Sequence, residues 1–565
     1  MPPSDSLDAA NAALQSGIEA MTSGDMDLAC RCFEDSLGHV PNNHIALKNL
    51  AAIAAKRGQL ADAEAYFDGV GPADETADML FDLAKICEAL EKFDRSREAF
   101  GKAVARQDST SKMKRAFAKF ELRVGEREKA VQLYRELVDS DPSDTNAVLA
   151  YAKLIWTYAP GEAMACLEKL LEKVTDPNDR IEILFNLILY KESAGRSGRG
   201  QEKYHASSVS DGRVQFSNDE LDALIEASSD VLADDETSAS GLLGNACAYH
   251  AKGERQVCQE YFMRLKEAQP KHVGSTVSLD DAFLSELSQQ TINDIASGLP
   301  PVDWVKSLET GDKPVIFVSS DYPYFYHFGR YFVASINRHM PGACIQVHLM
   351  DAAPEQVADA VDWCNRNSSV TCAISNEMTG LGPAQSEEAA CYYHAIRFVR
   401  FVQLRERYAG PLWLFDADVL AHRDALPVLE SGDGWDVAYR LRPGRLEPWN
   451  VINASLVGMA PTEAGLSFFR VAAAYLAHFW RENQLAWGID QLALLAAFYA
   501  TDNPRIRFLN AREQDIEMHE DGYFWFMSGP NKHALLNMEN GKSSVLLGLR
   551  PSDQRFADAY LSYLP

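Results

Sequence analysis

A step of about 34 residues runs through the first third of this chain and limits what that part can fold into. Gly24, Gly58 and Gly125 fall on it, and Glu91 stands where a glycine is missing. A small residue follows each time, at Ala29, Ala63, Ser96, Ala130 and Ala163, and then a large one at Phe33, Phe67, Phe100, Tyr134 and Leu167. The pattern predicts one helical hairpin per block. Glycine permits the tight turn between helices, the small residue lets two helices approach, and the large one fills the groove between neighbours. Pro41 and Pro142 close their blocks. About five such units over residues 10 to 190 make an all-α helical-repeat solenoid.

This region resembles the tetratricopeptide repeat family, although the early Trp and Tyr of that family are largely absent. The resemblance implies a concave face that binds a protein or peptide. Residues 1–193 are read as these repeats and 194–218, beginning near Ser193-Ala194-Gly195, as a Gly/Ser-rich loop or linker. Helical patterning returns in 219–310, where Gly253 and Tyr261 repeat the earlier offset and Leu279 to Leu308 reads as a helical connector. Gly311-Asp312-Lys313-Pro314 marks the border of a third region, 311–565.

Beyond that border the pattern changes to alternating strands and helices. Strands are predicted at 315–320, 344–350 and 370–374, and helices near 328–339, 355–365 and 388–408. This alternation predicts an α/β domain with a mostly parallel sheet. The next strand, Leu412-Trp413-Leu414-Phe415, stops abruptly at Asp416-Ala417-Asp418 before the apolar run resumes at Val419-Leu420. A continuous apolar run suits a strand buried on both faces, whose carboxyl end is where ligands of such sheets collect. Two carboxylates there could hold a hard divalent cation whose shell is finished by substrate phosphates. They could equally cap a turn, so the neighbouring segments decide.

Five segments occur in order: Ser320-Asp321-Tyr322, then Tyr393 to Arg400, then Asp416-Ala417-Asp418, then Asn453-Ala454-Ser455, then Trp487-Gly488-Ile489-Asp490-Gln491. Together they resemble the GT-A fold (Rossmann-like) glycosyltransferases, family eight among them. The resemblance implies a metal-dependent, retaining transfer of sugar from a nucleotide diphosphate sugar, a UDP-sugar first among them. It implies Mn²⁺ or Mg²⁺ on Asp416 and Asp418, nucleotide contacts from Asp321 and Tyr322, and phosphate contacts from Arg397 and Arg400. Asn453 and Ala454 would line the sugar pocket, with Asp490 and Gln491 beside the reacting carbon as catalytic residues. Tyr324 and Tyr326 compete with Tyr322 for stacking on the base. The family's late His-x-x-Gly-x-x-Lys segment corresponds to Phe526 through Lys532, so Gly529 and Lys532 fit while Phe526 replaces the histidine. His533 or the upstream His519 is the candidate third metal ligand, or else phosphates and water complete the shell around Asp416 and Asp418, and Ser455 stands where glycine is common.

Composition sets bounds on partners. Lys plus Arg number 54 against 81 Asp plus Glu, a net charge of −27, which disfavours nucleic acid and anionic membranes. Ten cysteines without zinc or Cys-x-x-Cys spacing read as reduced thiols, and the start lacks a basic and apolar leader, so a cytoplasmic protein without a membrane span is expected. Two other readings stand beside the transferase. One is a weak or inactive transferase-like scaffold whose repeats recruit partners. The other is a nucleotidyltransferase, disfavoured because no Gly-rich phosphate loop follows Val315 to Ser320.

Overall fold

The computed structural model describes residues 4–156, 158–194, 216–367, 369–382, 387–430, 434–442, 444–502, 504–509, 512–515, 519–526 and 551–563. The chain divides into two compact units, one built on Met1–Leu154 and one on Ile155–Leu546 with Arg550–Pro565.

The first unit is helical. Its hairpins are α1 (Ser4–Ser23) with α2 (Met26–His39), α3 (His44–Lys56) with α4 (Leu60–Asp68), α5 (Ala77–Ala89) with α6 (Phe93–Ala105), and α7 (Ser111–Arg123) with α8 (Arg127–Ser140). Helix α9 (Thr145–Ile155) ends at the border. The repeat positions behave as the spacing requires, because Ala29, Ala63, Ser96 and Ala130 are buried, as are Phe33, Phe67, Phe100 and Tyr134. Gly17 shows the close approach directly: a methyl group there would lie 2.6 Å from the Phe33 ring. Hydroxyls tie helices across turns, Ser36 Oγ donating to the Ala10 carbonyl at 3.0 Å and Ser96 Oγ to that of Ala84 at 2.8 Å. Buried acids do the same within and between hairpins. Glu64 pairs with Lys92 and Arg95, and Glu121 with Arg97 and Lys129.

The second unit opens with α10 (Pro160–Leu171), α11 (Pro177–Ala194), α12 (Asn218–Asp234), α13 (Ala239–Lys252), α14 (Arg255–Ala268), α15 (Asp281–Ser288) and α16 (Ile292–Ala296). Its sheet has eight strands in the order β1-β4-β3-β2-β5-β8-β7-β9. They are β1 (Val302–Lys306), β2 (Val315–Asp321), β3 (Cys344–Met350), β4 (Thr371–Glu377), β5 (Leu412–Phe415), β7 (Val437–Leu441), β8 (Ile452–Met459) and β9 (Ile506–Phe508), while β6 (Val419–Ala421) pairs with β10 (Phe524–Phe526) in a small second sheet. The remaining helices are α17 (Tyr322–Tyr324), α18 (Arg330–His339), α19 (Pro354–Arg366), α20 (Glu387–Gln403), α21 (Leu426–Glu430), α22 (Glu463–Arg481), α23 (Ile489–Ala500) and the last one, Pro551–Leu561.

Alternation along β2 explains the layering. Ile316 and Val318 face a core with Phe332 and Ile336 of α18 and Ala360 of α19, whereas Val315 and Phe317 face one with Phe401 of α20, Phe469 of α22 and Leu494 of α23. Leu224 of α12, Phe262 of α14 and Leu284 of α15 join that second core, so the change from helices to strands near residue 310 falls inside one hydrophobic body. The sheet is mixed within the expected mostly parallel frame, β2, β3, β4 and β5 running parallel while β1 and β8 run antiparallel to their neighbours. One expectation is corrected. The end of the expected helical connector is strand β1, because Val302, Trp304 and Lys306 alternate in burial with Asp303 and Val305, and the strand pairs with β4 through Val302, Asp303 and Lys306.

Glu91 carries φ +58°, the same left-handed turn that Gly24, Gly58 and Gly125 adopt at +88°, +77° and +91°. This conformation costs a side-chain-bearing residue about 1–2 kcal/mol, and Glu91 is exposed, with nothing to lose by truncation. Glu91→Gly should therefore raise the stability of the first unit by about 0.5–1 kcal/mol, read from its urea midpoint, whereas Glu91→Ala should give no such gain.

Candidate functional site

Strand order creates the site. From β2 the chain moves outward through β3 to β4, then returns to the opposite flank of β2 as β5, so the order reverses between β2 and β5. In such sheets the crevice lies at the carboxyl ends of the strands at that point. Asp321 is the last residue of β2, and Asp416 and Asp418 directly follow β5. The β5 ladder holds the first acid in register, the Asp416 N–H donating to the Ser455 carbonyl at 3.0 Å. Beyond Asp418 the chain pairs again as β6 against β10, with Val419 opposite Phe526.

One arginine gathers the acids. Arg397 of α20 is buried; its Nη1 pairs with Asp416, and its Nη2 donates to Asp490 Oδ2 at 2.9 Å and to the Ala454 carbonyl at 3.4 Å. Its Nε donates to the His394 carbonyl at 3.1 Å, one turn back on the same helix. Asp490 sits at the start of α23, after Gly488 in a left-handed turn, and its Oδ1 accepts the Gln491 N–H at 2.9 Å. Gln491 is held in turn by Arg442, whose Nη1 donates to Gln491 Oε1 at 2.7 Å. Four segments distant in sequence thus meet at Arg397.

The other predicted residues are placed as follows. Asp321 caps α17, its Oδ1 accepting the Tyr324 N–H at 2.9 Å. Tyr322 donates to Asp359 Oδ2 at 2.8 Å on α19, and Tyr326 stacks under the Arg330 guanidinium at 3.4 Å. Asn453 is buried and accepts the Ser455 N–H at 2.8 Å, shaping its own strand. Asp418 is buried. The structure does not bring Arg400 to this cluster: its Nε donates to Glu377 Oε2 at 2.8 Å, and its Nη2 to the Pro300 carbonyl at 2.7 Å. A buried carboxylate at the end of β4 claims it, as Asp416 and Asp490 claim Arg397. Gly529, Lys532 and His533 lie outside the described residues.

Sequence reasoning quoted His394 and Trp487 within its segments without assigning them a role. The structure sets the two rings edge to face, 4.3 Å apart, and turns His394 Nδ1 toward Asp490 Oδ2 at 3.8 Å. Arg442 was missed altogether, for nothing in its spacing distinguishes it.

The electrostatics follow from burial against pairing. Burial alone would raise the Asp490 carboxyl, but the facing His394 imidazole and the Arg397 charge outweigh it and bring it down to about 2. Burial would lower Arg397, yet Asp416 and Asp490 carry it above its ordinary value. The Tyr324 phenol is pushed up, first by burial and then by the charges of Asp416 and Asp321.

The donor set of a cation site is incomplete among these residues. Asp416 and Asp418 are oxygen donors of the type hard divalent ions take. Asp416 already gives Oδ1 to Arg397, and among the described residues no group of three His, Cys, Asp or Glu side chains is set to hold a metal.

The tetratricopeptide repeat family matches at residues 14–77, so the N-terminal region carries such repeats. Similar solved structures include the MamA protein, at 21% identity over 29% of this chain and 91% of that one with a TM-score of 0.27. Others are the C-terminal part of a repeat protein from Cytophaga hutchinsonii (13%, 46% and 96%, TM-score 0.33) and YrrB, described as having an unusual peptide-binding site (13%, 44% and 97%, TM-score 0.24). No helix among the described residues is long and apolar enough to cross a membrane.

Removing Arg397 leaves the buried Asp490 carboxylate and the partly buried Asp416 without their guanidinium, so Arg397→Met should destabilise the second unit by about 3–5 kcal/mol in urea. Acid should act on the same unit. Asp436, hydrogen-bonded by Arg505, is also lowered to about 2. Both folded values lie below the unfolded aspartate value of about 3.9, so the stability they confer is complete above that pH and is lost as pH falls toward about 2. Asp490→Asn should flatten this decline in urea midpoints measured between pH 5 and 2.5, about the practical limit of the window.

Proposed function

We propose that the second unit is a metal-dependent glycosyltransferase of the GT-A type, moving sugar from a nucleoside diphosphate sugar, a UDP-sugar first, to a protein or peptide bound through the repeats. The observation that carries this reading is the convergence of Asp321, Asp416, Asp418 and Asp490 on the carboxyl ends of β2 and β5, where the strand order reverses. A tip of the sheet this acidic suits a diphosphate only with a cation present, and Mn²⁺ or Mg²⁺ on Asp416 and Asp418 would neutralise charge on the leaving nucleotide. The residues themselves have distinct tasks. Arg397 fixes the directions of Asp416 and Asp490, and the depressed value of Asp490 keeps it anionic at neutral pH, able to accept a hydrogen bond from a sugar hydroxyl. Gln491, oriented by Arg442, adds an amide beside it. Tyr322 and Tyr324, at the end of β2, supply aromatic surface for the base. The repeats offer the kind of face that binds extended polypeptide.

The inactive-scaffold reading rests on Phe526, which is buried in β10 opposite Val419 where a ligating imidazole would stand, and on the Arg397 contact to Asp416. Donor hydrolysis separates the two. With Mn²⁺ present the chain should turn over a nucleotide sugar, and Asp418→Asn should cut that rate by about a hundredfold or more while leaving the unfolding of the first unit unchanged. Turnover at the parent rate in that variant, or no binding of any nucleoside diphosphate by the parent protein, would defeat the transferase reading.

A further inference from the structure

Trp487 is 62% exposed, the highest value among the large apolar side chains so described, yet it is not a stray surface residue. Gly488, at φ +91°, turns the chain into α23 immediately after it, and the His394 ring stands edge-on to it at 4.3 Å. His394 in turn faces Asp490, which Arg397 binds, so the indole is anchored through three polar groups to the buried acid cluster while most of its surface meets solvent. An indole held open beside fixed hydrogen-bonding groups matches the way binding sites combine an apolar aromatic surface with a few placed polar atoms. A pyranose ring has that same division, with one face of C–H groups and a rim of hydroxyls.

We infer that Trp487 and His394 form a seat for a pyranose ring, the C–H face of the sugar lying on the indole and its hydroxyls reaching His394 and the Asp490–Gln491 edge. The indole could also carry a planar base, but the tyrosines at the end of β2 already offer aromatic surface for one, and the seat is built on α20 and the turn before α23, with His394 at its rim. The inference rests on the transferase reading for its setting, and the sugar could belong to the donor or to a glycosylated acceptor. The chemistry recognised is the same.

Because Trp487 is exposed, Trp487→Ala should fold normally, with an unchanged thermal midpoint. Full-length protein, Trp487→Ala and Trp487→Phe would be titrated with UDP, a set of UDP-hexoses and a set of methyl hexopyranosides, in the presence of Mn²⁺, by calorimetry. Trp487→Ala should weaken at least one sugar-bearing probe by about tenfold, Trp487→Phe should lose much less, and UDP affinity should not change. Loss confined to UDP-hexoses assigns the seat to the donor sugar, and loss on methyl glycosides assigns it to the acceptor. Equal weakening of UDP itself would show the ring stacking on the base and overturn the inference, as would unchanged affinity for every sugar-bearing probe, or no binding of any of them by the parent chain. Absence of UDP and UDP-hexose binding alone would remove the transferase reading while the glycoside series still decides this one.

Discussion

Burying a guanidinium is tolerable only when its charge and donors are matched, and the placement of Arg397 makes that matching the organising constraint of the second unit. The effective cost of burying an ion is several kcal/mol, so Asp416, Asp490 and the Ala454 carbonyl must all arrive at one point for α20 to pack where it does. Satisfying Arg397 therefore fixes the end of β5, the middle of β8 and the first turn of α23 relative to one another. The same bonds that make the helix packable hold two carboxylates in set directions, so no separate device is needed to preorganise them.

Much of this was legible in the chain. The repeat spacing located the buried small and aromatic residues of the first unit and, at Glu91, a left-handed turn that carries no glycine. It succeeded because a hairpin turn and a close helix contact each restrict residue type strongly at a single position. The strands β2, β3 and β5 were readable because they are buried on both faces and their sequences are mostly apolar runs. Strand β1 was not, since an edge strand half open to solvent alternates polar and apolar residues over only a few positions, a pattern that a short amphipathic helix can imitate.

The candidate site divides along the same line. Acids at strand ends were recognisable because an abrupt charge after an apolar run has few structural uses. The fates of Arg397 and Arg400 were not, because three positions along a helix leave both near one face while the choice of partner depends on which strand end lies beneath each. Arg400 meets Glu377 of β4, and Arg397 meets the acids beyond β5 and at α23. Trp487 and His394 gain meaning only from a contact between α20 and the turn before α23, nearly a hundred residues apart in sequence, which no local pattern encodes.

Charge pairing by itself does not mark function in this protein. Glu64 with Lys92 and Arg95, Glu121 with Arg97 and Lys129, and Glu377 with Arg400 are buried acids satisfied by cations, and each ties elements together. Perturbed carboxylates arise in such structural networks as readily as in sites. What separates the Arg397 cluster is topology and access. It alone of these networks lies where the strand order reverses, and it alone grades outward from a fully buried arginine through the half-buried His394 to an exposed indole. A network built only for stability gains nothing from that gradient, because an exposed Trp forfeits the burial that would stabilise it. The gradient is intelligible if something outside the protein completes the contact.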